Sequence, residues 1–320
     1  MKRVVITGAT GFIGANLSYR LLQEGHTLHL FVSEDFTKWR IESLCDDVNL
    51  HKIDFQNKDD LRNTIKKIQP DWVFHLAAYG SRPTQFDLTQ TVQTNISGTI
   101  NFVEACVENG FEVFVNTGSS SEYGFKDHAP SEKERLDPNS YYALTKAFAT
   151  LFCRHMAQRF HLCISTLRLY SVYGPYEDPA RLIPKLILCG LKGELPPLVS
   201  PNVAHDFIHV DDVIDAYMLA AENRQQEQGA VYNVGTGRQV LMHQVVDIAR
   251  RVMNIPKEPE WGSMGNRNWD THTWVADNRL IKKKLDWYPR YDFESGFRQT
   301  HAWFQDNPNL LDIYKQVISG

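Results

Sequence analysis

The feature that most constrains the fold of this chain is a glycine-rich turn near its start. Residues 4–7 form a short apolar run, and Gly8-Ala9-Thr10-Gly11-Phe12-Ile13-Gly14 follows it directly. Apolar residues then recur at helical spacing, which predicts a strand, a tight turn and a helix in succession. Glycines in such a turn let the backbone approach a pyrophosphate, and the N–H groups that begin the helix face its oxygens. The turn therefore predicts a dinucleotide site formed by Gly8, Thr10, Gly11, Phe12, Ile13 and Gly14.

The rest of the first half alternates between strand and helix patterns. Short apolar runs lie near residues 28–32, 48–53, 72–76, 112–116 and 163–169, with helical patterns between most of them. This alternation is typical of an α/β fold with a Rossmann-type doubly wound parallel sheet. We expect residues 1–174 to form an NAD(P)-binding domain, with returning strands near 206–210 and 231–234. Residues 175–320 should form mainly a smaller C-terminal substrate-binding lobe.

The composition is that of a globular protein and disfavours several kinds of partner. Hydrophobic residues make up 42% of the chain and the net charge is −4, so neither nucleic acid nor an anionic membrane is expected as a partner. The five cysteines are irregularly spaced and contain no Cys-x-x-Cys motif, which argues for a reducing compartment. The sequence shows no signal-peptide pattern and no apolar stretch long enough to cross a bilayer, so we expect a cytoplasmic protein.

The end of the second predicted strand bears on the choice between NAD and NADP. An acidic residue there binds the ribose hydroxyls of NAD and repels the 2′-phosphate of NADP. Ser33 occupies this position, whereas Glu34 and Asp35 come one and two residues late, with Lys38 and Arg40 beyond them. The missing acid favours NADP(H) over NAD(H), with Ser33, Lys38 and Arg40 as cofactor-binding residues. The alternative is that Glu34 or Asp35 reaches the ribose in spite of its later position.

A tyrosine and a lysine four residues apart form the candidate catalytic pair. Tyr142 and Lys146 share one face of a predicted helix. A phenol ordinarily titrates at about pH 10, and a neighbouring ammonium group and a positive nicotinamide ring both favour its ionised form. Ser119 follows the fifth predicted strand together with Ser120 and Ser121, and it supplies a hydroxyl to share the proton. This position is the carboxyl edge of a parallel sheet, where ligands bind.

Further motifs occur in a fixed order along almost the whole chain. They are Asp54, His75-Leu76-Ala77-Ala78, Asn95 with Gly98-Thr99, Glu122-Tyr123-Gly124, Leu167-Arg168-Leu169-Tyr170-Ser171-Val172-Tyr173-Gly174-Pro175, Asp206-Phe207-Ile208-His209-Val210-Asp211-Asp212-Val213, Asn233-Val234-Gly235 and Arg267-x-x-Asp270. With the glycine turn and the Tyr142–Lys146 pair, this order resembles the extended branch of the short-chain dehydrogenase/reductase superfamily, the nucleotide-sugar epimerase/dehydratase/reductase family. The resemblance implies an enzyme that holds NAD(P) in its N-terminal domain and a nucleoside-diphosphate sugar below its C-terminal lobe.

The resemblance also implies roles for individual residues. Ser119, Tyr142 and Lys146 match the catalytic triad, and Arg267 matches the arginine that grips the substrate diphosphate. The further cofactor-binding residues are Asp54, Phe55, Leu76, Ala77, Ala78, Asn95, Tyr142 and Lys146. The substrate-binding residues are Tyr79, Ser120, Ser121, Glu122, Ser171, His205, Arg267 and Asp270. Two roles remain as alternatives for Asp54: it accepts a hydrogen bond from the adenine amino group, or it only forms a turn. For Arg267 the alternative to binding the diphosphate is an exposed position in a loop.

Two departures from the family pattern restrict the chemistry. Sugar 4,6-dehydratases carry an acidic pair directly after the triad threonine, where this chain has Ser120 and Ser121, so dehydration is disfavoured. Ser171 and His205 stand where many members have asparagine and arginine, which leaves the nucleotide preference open. His205 and His209 fall on one predicted strand without a third ligand, so no metal site is expected.

Two redox reactions at C4 of the sugar fit these residues. A 4-keto-6-deoxyhexose reductase takes NADPH and delivers hydride once, whereas an NAD-dependent C4 epimerase oxidises C4 and reduces it again. The second predicted strand ends without an acid, and residues 118–124 are similar to those of reductases that make GDP-rhamnose. Both features favour the reductase, and the epimerase is the alternative. A non-catalytic NADP-binding regulator is a remote alternative, because such proteins usually lose the tyrosine or the lysine. Many relatives dimerise through helices near residues 87–108 and 140–160, so a homodimer is expected.

Overall fold

Seven parallel strands form the central sheet in a computed structural model that describes residues 1–81, 85, 87–265 and 271–319. In spatial order they are β3 (Asn49–Lys52), β2 (Thr27–Val32), β1 (Arg3–Thr7), β4 (Trp72–His75), β5 (Val113–Ser119), β6 (Ile164–Leu169) and β10 (Ala230–Val234). Every neighbouring pair is parallel. The strand order reverses between β1 and β4, which confirms the predicted Rossmann-type α/β fold.

Helices cover both faces of this sheet because successive strand residues are buried on opposite sides. In β1, Val4 and Ile6 belong to one core and Val5 belongs to the other. The first core is covered by α1 (Phe12–Gln23), α7 (Val210–Glu222) and α9 (Arg279–Leu285), and the second by α2 (Lys58–Ile68), α4 (Gly98–Asn109) and α5 (Tyr141–Phe160). The helix α3 (Leu88–Val92) continues into α4 through a π-helical turn, Gln93–Ser97.

A third core lies in the smaller lobe. Its helices are α6 (Leu182–Gly190), α8 (Met242–Met253), α10 (Phe293–Asp306) and α11 (Pro308–Ser319). Two small sheets accompany them, one pairing β7 (Ser171–Tyr173) with β9 (Phe207–His209) and the other pairing β8 (Ala204–His205) with β11 (Val240–Leu241). Among the described residues, no helix is long and apolar enough to cross a membrane.

The two segments predicted to return to the central sheet behave differently. The strand β10 pairs with β6 and forms one edge of the sheet. The expected strand near 206–210 needs correction, because β9 pairs with β7 outside the sheet and residue 210 already begins α7. Phe207 explains this, since its ring packs 6.1 Å from Tyr173 and 5.1 Å from Phe293 in the core of the smaller lobe. After β9 the chain returns to the larger domain, where α7 and α9 cover the first core and β10 joins the central sheet.

Candidate active site

The glycine turn connects β1 to α1 and lies against the loop that follows β4. Gly8 has a φ of +70°, and a Cβ on it would lie 2.7 Å from the Ala77 nitrogen. A Cβ on Gly14 would lie 2.3 Å from the Gly8 carbonyl oxygen, so the helix is packed directly onto the turn. Gly11 precedes α1 and has no side chain to cap it, which leaves the first-turn N–H groups to an anion. This backbone fits a dinucleotide pyrophosphate.

A threonine that the sequence motifs did not single out holds the two cleft loops together. The Thr7 hydroxyl oxygen accepts hydrogen bonds from the N–H groups of Leu76 and Ala77, both at 3.1 Å. It also lies 2.8 Å from His75 Nδ1, and His75 Nε2 lies 3.0 Å from the Thr99 hydroxyl. Burial lowers the pKa of His75 to about 3, so this imidazole is neutral and structural.

The end of β2 presents a serine to solvent, and two of the later charged side chains, Glu34 and Lys38, are paired. Ser33 is exposed directly after the strand. Glu34 accepts from Lys52 Nζ at 2.5 Å, which places a carboxylate beside the ends of β2 and β3. Lys38 pairs with Glu42 at 3.1 Å on the surface.

Arg40 does not serve the strand end, which corrects its expected role in binding a 2′-phosphate. Its side chain is only 3% exposed and lies over the Trp39 ring at 4.1 Å. Arg40 Nε donates to the Tyr176 carbonyl at 2.8 Å and Nη1 donates to the Thr10 carbonyl at 3.4 Å. The Arg40 guanidinium group therefore stabilises the glycine turn through its hydrogen bond to the Thr10 carbonyl.

The residues after β3 are arranged as a turn. The Asp54 carboxylate accepts the Gln56 N–H at 2.9 Å, which is the turn-forming arrangement that the sequence left open. The Phe55 carbonyl accepts from Asn101 Nδ2 at 2.8 Å, and its ring packs 5.6 Å from Phe102. Asp54 itself is exposed, so its second oxygen can still reach a ligand.

Asn95 lies in the π-helical turn, and its expected contact with the cofactor is corrected. Its Oδ1 accepts the Tyr79 N–H at 2.8 Å, while Nδ2 donates to the Tyr79 carbonyl at 2.8 Å and to the Thr145 hydroxyl at 2.9 Å. The amide is buried and its groups are engaged by protein partners. Asn95 therefore fixes the Tyr79 loop against α5, and π-helical turns are frequent at such functional positions.

Ser119 and Tyr142 come together where α5 lies beside the end of β5. Ser140 caps α5 by accepting the Ala143 N–H at 3.1 Å, so the helix begins directly before Tyr142. The Ser119 hydroxyl lies 2.7 Å from that of Ser121 and accepts the Ser121 N–H at 3.2 Å. The Ser119 side chain is also close enough to the Tyr142 phenol to stabilise its ionised form.

The electrostatics of the pair differ from the expectation. Burial raises the pKa of Tyr142 above its ordinary value, and among the described residues the Arg181 guanidinium and the Ser119 hydroxyl act in the opposite direction. Burial lowers the pKa of Lys146, while the carboxylate of Glu122 acts in the opposite direction. Lys146 therefore lies in the interior, one helical turn beyond Tyr142.

Glu122 supports the site from behind, which corrects its expected role in binding substrate. It is completely buried in the short 3₁₀ turn Ser120–Tyr123. One carboxylate oxygen accepts the Ser119 N–H at 2.8 Å and the Thr150 hydroxyl at 2.9 Å. The other accepts Arg168 Nε at 2.8 Å. Burial raises the pKa of Glu122, but every partner is a donor, which suits the carboxylate.

The substrate side of the cleft brings Ser171 and His205 together. The Ser171 hydroxyl lies 3.1 Å from His205 Nδ1. Ser120, Tyr170 and Trp274 line one small pocket on this side of the cleft. Within the described part of the chain, the Tyr170 hydroxyl is buried with no hydrogen-bond partner. The expected substrate residues Arg267 and Asp270 lie outside the described residues.

Of the two histidines on the segment 205–209, His209 makes structural contacts. His209 caps α7 by accepting the Asp211 N–H at 3.3 Å, and its ring lies 4.6 Å from that of Tyr291 in a tilted arrangement. Burial lowers its pKa to about 4. No group of three or more metal-ligating side chains occurs among the residues that the structure describes.

Two residues that tie the lobes together were missed from the sequence. Asn16 Nδ2 donates to the carbonyls of Phe12 and Pro175, each at 2.9 Å. Arg181 donates to the Ser81 carbonyl at 2.6 Å. The only local signal for Asn16 is that its amide comes four residues after Phe12, the spacing of a contact within one helix. No pattern in the sequence connects position 81 with position 181.

Comparison with known proteins identifies the family. Residues 4–235 match the NAD dependent epimerase/dehydratase family. A UDP-glucose 4-epimerase of Mycolicibacterium smegmatis is 29% identical over 95% of this chain and 99% of its own length. The MoeE5 protein in complex with UDP-glucose and NAD is 31% identical, with a TM-score of 0.83 over 96% of this chain and 99% of its own.

A plant relative is longer than this chain. The trifunctional UDP-glucose 4,6-dehydratase/UDP-4-keto-6-deoxy-D-glucose 3,5-epimerase/UDP-4-keto-L-rhamnose-reductase of Arabidopsis thaliana is 28% identical over 96% of this chain, which spans 48% of that protein. The family match covers well over half of the present chain and includes the glycine turn, Ser119, Tyr142 and Lys146. The chain therefore belongs to the NAD dependent epimerase/dehydratase family, whose homologous enzymes act on nucleotide sugars.

Proposed function

We propose that this protein is an NAD-dependent C4 epimerase of a UDP-sugar. The observation that carries the proposal is the match to a UDP-glucose 4-epimerase over 95% of this chain and 99% of that protein, in a chain that has the glycine turn, Ser119, Tyr142 and Lys146. The nicotinamide ring, when bound, supplies reversible hydride transfer at C4. This reading reverses the preference for a reductase that the end of β2 suggested.

The side chains of the site supply the proton chemistry. Tyr142 takes the proton of the C4 hydroxyl as hydride leaves C4. After the 4-keto sugar has turned, Tyr142 returns the proton to the C4 oxygen as hydride comes back to the opposite face of C4, and the Ser119 hydroxyl orients that oxygen. The Glu122–Arg168 pair holds Ser119 in place through the Ser119 N–H. Lys146 adds positive charge at the cofactor end of the same helix face.

The cofactor is proposed to be NAD. The glycine turn holds its pyrophosphate, Ser33 and the Glu34 carboxylate face its adenosine ribose, and Asp54 faces the adenine. Arg40 is committed to the carbonyls of Thr10 and Tyr176, which removes the strongest candidate for a 2′-phosphate ligand. The NAD in MoeE5, a 31% identical protein, points the same way.

The sugar is proposed to lie between the triad and the smaller lobe. The residues assigned to it are Tyr79, Ser120, Ser121, Ser171 and His205, with Arg267 and Asp270 on the diphosphate and ribose. Ser120 and Ser121 are neutral, which suits an enzyme that leaves C5 and C6 unchanged. A second candidate, an NADPH-dependent 4-keto-6-deoxyhexose reductase, is favoured by one observation, the exposed Ser33 where NAD enzymes carry an acid.

We also propose that two copies of the chain associate through α5. Tyr141, Leu144 and Leu151 are 59%, 51% and 56% exposed and lie along one face of this helix. Leu88 and Val92 of α3 are exposed as well. A stripe of this kind fits the antiparallel helix pairing of a two-fold dimer.

Identification of the retained nucleotide, together with matched tyrosine variants, tests the proposal. The protein is denatured after purification and the released nucleotide is identified, and NAD is the expected result. Tyr142→Phe should lower turnover of a UDP-sugar by roughly 10²–10⁴, whereas Tyr288→Phe, at an exposed position away from the cleft, should not change it. An empty protein that consumes NADPH with a 4-keto sugar would support the reductase instead.

A further inference from the structure

Three consecutive carbonyl groups after Gly174 each accept a hydrogen bond from a different part of the chain. Asn16 Nδ2 of α1, Arg40 Nε of the loop after β2 and the Tyr314 hydroxyl of α11 are the donors, at 2.9, 2.8 and 2.7 Å. Their acceptors are, in that order, the carbonyls of Pro175, Tyr176 and Glu177. The segment 175–177 therefore connects α11 of the smaller lobe to α1 and to the loop after β2.

The middle residue of this segment has a strained backbone. Tyr176 has a φ of +67°, in the left-handed region that L side chains rarely adopt. Its ring is stacked on that of Tyr19 in α1, with centroids 5.4 Å apart, and lies 4.9 Å from the Trp303 ring in α10. A strained residue persists where the surrounding structure fixes it, and such residues are common beside ligand sites. The conformation of the segment 175–177 thus depends on contacts from both parts of the molecule.

Arg40 connects this segment to the glycine turn. Its Nη1 donates to the Thr10 carbonyl at 3.4 Å, while its Nε holds the Tyr176 carbonyl. The guanidinium carbon lies 4.1 Å from the centroid of the Trp39 ring, and that ring lies 5.5 Å from the ring of Tyr314. Arg40 is 3% exposed, so in a close-packed interior its position depends on these neighbours. A continuous set of contacts therefore runs from α11 to the backbone of the glycine turn.

We propose that Tyr314 and Arg40 are positioning residues of the cofactor site, which act through the segment 175–177 to fix the glycine turn in its dinucleotide-binding conformation. The helix α11 thereby determines how tightly the cofactor is held, although Tyr314 acts only through the Glu177 carbonyl and the Trp39 ring. The proposal rests on the part of the proposed function that places the dinucleotide pyrophosphate on the glycine turn. It does not depend on the reaction at the sugar.

The rate of nucleotide release from the holoenzyme tests the proposal. The protein as purified is mixed with an excess of the radiolabelled form of its nucleotide, and the label that stays bound after rapid desalting is followed with time. A protein purified without nucleotide is first loaded with NAD or NADPH, whichever it binds. Tyr314→Phe keeps the ring and removes only the donor to Glu177. It should raise the release rate about fivefold or more, the lower end of coupling between two sites, and so should Arg40→Met.

Two controls separate positioning from a general loss of stability. Val246→Ala removes buried volume from the same core on α8, which packs on α6 and α10. It should lower the urea midpoint and leave the release rate unchanged. Because Tyr314 and Arg40 act through one segment, the double variant should release nucleotide less than about twofold faster than the faster single variant. Multiplied effects, wild-type release from both single variants, or faster release from Val246→Ala as well would overturn the proposal.

Turnover distinguishes this proposal from the proposed reaction. A loss of epimerase turnover in Tyr314→Phe should be restored by excess NAD, because mass action refills a weakened cofactor site. Turnover that stays low at saturating NAD would contradict a role in holding the cofactor. A wild-type protein that epimerises no UDP-sugar, but whose nucleotide release responds to both variants as described, would contradict the proposed function and leave the positioning role intact.

Discussion

Replacing Glu122 with glutamine separates a supporting role from a substrate contact. Glutamine keeps the shape of the side chain and can still accept the Ser119 N–H and the Thr150 hydroxyl. It presents a neutral amide to Arg168, whose guanidinium is 3% exposed and donates to Glu122 at 2.8 Å. The variant therefore leaves a buried cation without its counter-charge.

The expected loss of unfolding free energy is about 3–5 kcal/mol, the usual cost of breaking a buried ion pair by removing one partner. At roughly 2 °C per kcal/mol for a chain of this size, the thermal midpoint should fall by roughly 6–10 °C. Because domains are stable by only about 5–15 kcal/mol, this change is a large fraction of the total free energy of unfolding.

Urea denaturation measures the loss, and two further variants provide the controls. Glu108→Gln breaks an exposed pair with Arg62 and should cost less than about 1 kcal/mol. Adding Arg168→Met to Glu122→Gln removes the orphaned charge and should recover at least half of the loss. A Glu122→Gln protein as stable as wild type, with only KM for the sugar raised, would refute the supporting role and restore Glu122 to the substrate site.

Three residues outside the triad, Gly14, Glu177 and Leu151, provide further tests. Gly14→Ala should abolish retention of the nucleotide, because its Cβ would lie 2.3 Å from the Gly8 carbonyl oxygen. Gly265→Ala, whose Cβ meets no atom of the described residues within 4 Å, should retain the nucleotide. Equal retention by the two variants, measured on denaturation, would contradict the tight turn. Burial raises the pKa of Glu177 to about 8 from an ordinary 4.5, so the folded protein holds a proton that the unfolded chain releases. Between those values stability should fall by about 1.4 kcal/mol per pH unit as pH rises, and urea midpoints of Glu177→Gln should lack this slope. Leu151→Glu should convert the dimer to a monomer by light scattering, and an unchanged mass would exclude the α5 interface.

Local sequence signals predicted the parts of the fold that depend on local geometry. The glycine turn, each strand and the α5 face that carries Tyr142 are each encoded by a short local segment of the chain. Their hydrogen bonds and burial follow from backbone geometry and side-chain period, which are readable without the rest of the molecule.

The errors concern side chains whose partners are far away in sequence. Glu122 follows the triad serine and resembles a cleft residue, but the 3₁₀ turn directs it inward to Arg168, 46 residues later. Arg40 lies beyond the end of β2, yet its partner is the Tyr176 carbonyl, 136 residues away. Phe207 has the pattern of a sheet strand, and only the aromatic core of the smaller lobe explains its position. No single-sequence pattern encodes such distant partners.

The central claim, C4 epimerisation of a UDP-sugar, is tested most directly by proton NMR. The purified protein is incubated with UDP-glucose and, in parallel, with UDP-glucuronate, without added cofactor, and the anomeric and H4 signals are followed with time. We predict that the C4 epimer of at least one sugar accumulates to a constant ratio, and that Tyr142→Phe abolishes the change. Unchanged sugars in both incubations, from a protein that reduces a 4-keto-6-deoxy sugar with NADPH, would contradict the account.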